Sequence, residues 1–94
     1  MSQDQFGKFK ELLLQNFQFP CIYIHKIIGK NSPIFKTSIS EFEAKFIGLT
    51  KTTERLSASG KHVSITYEYQ AASPEDVVQL MVETQKLNDL IYII

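Results

Sequence analysis

The chain has 94 residues, 44% of them apolar, with seven Phe and four Tyr. That is enough for one packed core and too little for two, and it is too apolar for disorder. Ten basic and ten acidic side chains cancel to a net charge of zero, which excludes a general electrostatic pull toward nucleic acid or acidic membranes.

Phe6, Phe9, Leu13 and Phe17 recur at helical spacing, with Asp4, Lys8, Lys10 and Glu11 on the other faces. The spacing predicts an amphipathic helix over residues 3–17, weakened by Gly7 and ended at Phe19-Pro20. Cys21 to Ile28 follows as a strand. Its β-branched and aromatic run is almost continuous, as expected of a central strand. Gly29 to Ser32 forms a turn, with Ser32 placed to cap the next helix and Pro33 at its first position. Phe35, Ile39, Phe42 and Phe46 make one face of that helix, and Gly48 is its expected stop.

Leu49 to Ser57 is rich in threonine and charge, which suits an edge strand, and Ser57 to Gly60 supplies a turn. The clearest pattern comes next. Val63, Ile65, Tyr67, Tyr69 and Ala71 alternate with His62, Ser64, Thr66, Glu68 and Gln70, the period of a strand with one face buried. Ser73, Pro74 and Asp76 open a second helix with a capping-box-like pair, and Val77, Leu80, Met81, Thr84 and Leu87 form its inward face. Asn88-Asp89 turns the chain into a last strand, Leu90 to Ile94.

The order is a helix followed by β-α-β-β-α-β. Right-handed crossovers put both helices of the two βαβ units on one face of a four-stranded antiparallel sheet. The expected class is therefore α+β, a ferredoxin-like βαββαβ plait over residues 19–94, with residues 1–18 as an N-terminal helical extension. The first and third strands should lie in the middle.

Two motifs then carry a family resemblance. Phe19-Pro20-Cys21 followed by Ile24-His25-Lys26-Ile27-Ile28-Gly29, and the stretch Ser59-Gly60-Lys61-His62-Val63-Ser64-Ile65-Thr66, are similar to the opening and the third strand of the YbeD-like proteins. Those are small bacterial proteins of unknown function. The resemblance covers residues 19–94 and implies a ferredoxin-like domain similar to the ACT domains, which bind amino acids. His62 and Met81 stand where the family usually has aromatics.

No catalytic constellation emerges. His25 and His62 have no recognisable partner for base or nucleophile work, and no clustered spacing advertises a metal or a cofactor. His25 reads as a partly buried neutral imidazole and His62 as a solvent-facing residue. Cys21 reads as a small core hydrophobe, and its solitude points to a reducing compartment. Acylphosphatase chemistry in this topology needs an Arg in the first loop, and the only Arg is Arg55. The third strand's outward positions lack the aromatics on which RNA-binding sheets stack bases, so no nucleic-acid partner is expected. The N-terminus lacks a secretory signal pattern and nothing approaches a membrane span, so the expected setting is cytoplasmic.

Two binding surfaces remain. Gly29, Lys30, Asn31 and Ser32, with Lys26 nearby, place a lysine and helix amides where a small anionic metabolite or amino acid would bind. Alternatively, burying Lys26 beneath the helices would cost more than burying neutral His25, so Lys26 should face outward. Period two then carries Ile22, Ile24 and Ile28 outward as an apolar patch. Either the N-terminal helix covers that patch or another chain does, an unidentified protein or a second copy in a homodimer. The sequence reads as a small non-catalytic regulatory or protein-interaction module, with an ACT-like sensor as the alternative.

Overall fold

A computed structural model describes residues 6–94 of the chain. In chain order it contains α1 (Gly7–Asn16), β1 (Cys21–Lys30), α2 (Pro33–Ala44), β2 (Leu49–Leu56), β3 (His62–Ala71), α3 (Pro74–Thr84) and β4 (Leu90–Ile93). The order of elements agrees with the pattern of the sequence. Residues 3–5 of the expected first helix lie outside the described residues.

The four strands form one antiparallel sheet in the order β2-β3-β1-β4, so β1 and β3 are central. Ten consecutive pairs join β1 to β3, from Cys21 opposite Ala71 to Lys30 opposite His62. Every odd position of β3 from Val63 to Ala71 is buried, as the alternation demands. β2 lies at an edge and pairs with β3 alone, with a bulge at Thr52, whose hydroxyl donates to the Thr66 carbonyl. The other edge is short. β4 reaches only Ile27, Ile28 and Gly29, with a second irregularity between Ile28 and Gly29.

One face of the sheet is covered. Ile27, Val63, Ile65 and Tyr67 pack against Phe35, Ile39 and Phe42 of α2 and against Val77 and Leu80 of α3. α1 joins the same layer. Leu13 belongs to this single buried cluster, Phe9 packs against it, and Lys10 reaches Glu75 of α3 at 3.7 Å. The Phe17 ring lies 5.7 Å from that of Tyr23, on the inward side of β1. The described part of the first helix therefore does not cover Ile22 and Ile24, and no other described segment lies over the open face.

Three local expectations are corrected. Ser73 makes no side-chain cap; the Asp76 carboxylate instead accepts from the Ala72 N–H at 2.9 Å, one residue earlier. The shorter Asp does not complete the reciprocal box that a Glu would make. Cys21 is half-buried at the start of β1 and lies outside the buried cluster, because the chain enters the sheet there. Gly48 (φ +84°) lies in the turn before β2, after α2 has already ended at Ala44.

Candidate functional site

β1 carries both candidate surfaces, because its two faces and its C-terminal end have different fates. Lys26 is exposed on the open face, while its neighbours His25 and Ile27 are fully buried beneath the helices. The period of two then does the rest. Ile22 and Ile24 are 49% and 55% exposed, and Ile28 is half-buried on the same side. Tyr92, which pairs with Ile28, is 63% exposed beside them. The remainder of this face is polar: Ser64, Thr66, Glu68 and Gln70 on β3, and Thr53 and Arg55 on β2. A row crosses all four strands from Arg55 through Ser64 and Ile28 to Tyr92. Above it opens a concavity of about 460 Å³, lined also by His62 and Ile91.

The loop after β1 is organised differently. Gly29 and Lys30 are the last residues of β1, and only Asn31 and Ser32 form the connection to α2. The backbone amides of the loop itself are already engaged. Lys30 N–H donates to the Asp89 carbonyl, Asn31 N–H to that of Lys61 and Ser32 N–H to that of Lys30, each at 2.9 Å. The Asn31 side chain donates to the Gly60 carbonyl at 2.8 Å. The Ser32 hydroxyl accepts from Phe35 N–H at 3.1 Å, capping α2, and donates to the Asp89 carboxylate at 2.7 Å. That carboxylate thus sits by the N-terminus of α2, where a bound anion would lie. Gly29 faces inward, and a Cβ at this position would run into the Phe35 ring. Lys26 lies on the open face and is not brought together with Asn31 and Ser32.

His25 and His62 lie on opposite faces of the sheet. The His25 Nε2 lies 3.0 Å from Thr84 Oγ1, whose own proton goes to the Leu80 carbonyl at 2.6 Å. Nε2 must therefore be the protonated nitrogen, and Nδ1 is left buried without a partner among the described residues. Burial lowers the His25 pKa to about 4, so the imidazole is neutral at physiological pH. Beside it, the Tyr67 ring stacks at 6.4 Å, and its hydroxyl donates to Glu43 at 2.7 Å. Burial, and then this bond to a carboxylate, hold the phenol far above its ordinary pKa. Glu43 faces Lys51 at 3.6 Å, and Lys51 bonds Glu54 at 2.9 Å. The sequence reading did not anticipate this network; the only hint was that Tyr67, an inward residue, carries a polar tip that needs a partner.

The model of a family described as "Protein of unknown function (DUF493)" matches residues 15–94, the span that contains every strand of the sheet and both of the helices between them. The chain belongs to that family. DUF493 is also the family of the YbeD-like proteins that its motifs resemble. No curated protein matches, and neither does any solved structure. Among the described residues of this DUF493 protein, no helix is long and apolar enough to cross a membrane.

Proposed function

We propose that this DUF493 chain is a non-catalytic interaction module that receives a protein partner on the open face of its sheet. The order β2-β3-β1-β4 with all helices on one side supports reading the architecture as a ferredoxin-like plait, in which one sheet face is free for contact. The observation that carries the reading is the half-exposure of Ile22 and Ile24 on a central strand, with α1 packed elsewhere. Isoleucines held on a central strand offer an apolar surface, and an exposed patch of this kind marks a contact site. The regulatory role and the cytoplasmic setting belong to the same proposal.

The sensor alternative has less support, because the amides and hydroxyl of the Asn31–Ser32 loop are engaged within the chain. Capture from a cell extract with immobilised chain, run beside the double variant Ile22→Ser/Ile24→Ser, tests the module. Both positions are solvent-exposed, so the variant should fold normally. A specific set of proteins held by the native chain and lost by the variant is the expected result. Identical capture by both would overturn the reading.

A further inference from the structure

The open face is positively charged although the chain is neutral. Lys26 and Lys30 of β1 and Arg55 of β2 point to this side, against one side-chain carboxylate among the described residues of the sheet, Glu68. None of the three cations has a carboxylate within 4.0 Å among the described residues. The ion pairs lie elsewhere: Lys10, Lys45, Lys51 and Lys86 meet Glu75, Glu83, Glu43 and Glu54 in or beside the helical layer.

Resting on the module reading above, we propose that the occupant of this face is an acidic, apolar protein segment, whose carboxylate is anchored at Arg55. Its apolar side chain fills the concavity over Ile28, Ile91 and Tyr92. Charge complementarity sets the acidic character: a carboxylate beside Arg55 accepts two parallel hydrogen bonds from the guanidinium. The dimensions argue for a protein segment over a small carboxylate. The outward row of β1 runs from Ile28 through Lys26 to Ile24 and Ile22, about 20 Å at strand rise, well beyond the reach of a single metabolite. The character of the surface argues against nucleic acid, since β1 presents isoleucines outward where base stacking needs aromatic rings.

A selection from a random twelve-residue peptide library against the immobilised full chain tests this. Peptides rich in Leu, Ile or Phe with at least one Asp or Glu should be enriched. Amide shifts on binding should concentrate at Ile24, Ile28, Ser64 and Tyr92. Arg55→Gln should weaken an enriched peptide two- to five-fold at low salt, matching the effect of replacing its carboxylate by an amide, with no further loss when both changes are combined. Tyr92→Ser, at an exposed position, should weaken it independently of charge. The proposal is overturned by a lack of enrichment, by basic or uncharged winners, by an unchanged carboxylate preference in Arg55→Gln, by tighter binding of an oligouridine strand, or by self-association through this face. If selected peptides depend on Ile24 but ignore Arg55, the anchor fails and the module reading survives. Where extract capture is also blind to Ile22 and Ile24, both fail.

Discussion

Single residues in this chain do work that their type alone does not announce. His25 is the clearest case, a neutral imidazole in the core with one bonded nitrogen and one without a partner among the described residues. Its folded pKa, about 4, lies below the ordinary 6.5. The unfolded chain therefore takes up the proton first, and stability present above pH 6.5 is lost as the pH falls toward 4. Between pH 7 and pH 5 the loss should be about 2 kcal/mol. Urea denaturation at the two pH values checks it, and a His25→Leu variant should show a much smaller difference. Gly29 is a second case. It looks like a turn residue but is required by the close approach of Phe35 to β1. Gly29→Ala should cost about 1–3 kcal/mol, since the ring or the strand must shift, and thermal unfolding measures it.

At the scale of elements, the Ser32 hydroxyl ties the start of α2 to the turn before β4. Ser32 caps the helix and holds Asp89, whose backbone sits at φ +63° in the left-handed region. Ser32→Ala removes both bonds and should destabilise by about 1–2 kcal/mol, readable from the urea midpoint. The Ser32 cap was legible from Ser followed by Pro33; the Asp89 partner, 57 residues away, was not, because local pattern says nothing about which loops meet. α1 shows the same division. Its helical spacing was plain, but its docking beside α3 depends on which apolar surface is free once the sheet is built. Leu13→Ala should therefore lower stability by about 2–5 kcal/mol while leaving the exposure of Ile22 and Ile24 unchanged. Thermal unfolding together with amide exchange at β1 separates the two effects.

At the scale of the molecule, strand identity and facing were readable because the alternation in β3 and the Lys26–His25 contrast in β1 each select one buried face. The segregation of charge was hidden. A sum of zero conceals helix-side carboxylates matched by lysines and sheet-side cations left unmatched, a distinction that exists only once the register pairs Arg55 with Ser64 and Lys30 with His62. The open face thus carries isoleucines along β1 with Lys26 among them, further cations at Lys30 and Arg55, and no segment of residues 6–94 over it. Its exposure is the central claim, and methyl NMR of isoleucine-labelled chain with a soluble paramagnetic agent tests it most directly. Ile22 and Ile24 should broaden strongly in the free protein, Ile28 less so, and Ile27, Ile39 and Ile65 hardly at all. Should Ile22 and Ile24 prove as shielded as Ile27, something already covers the face and the proposed contact surface does not exist.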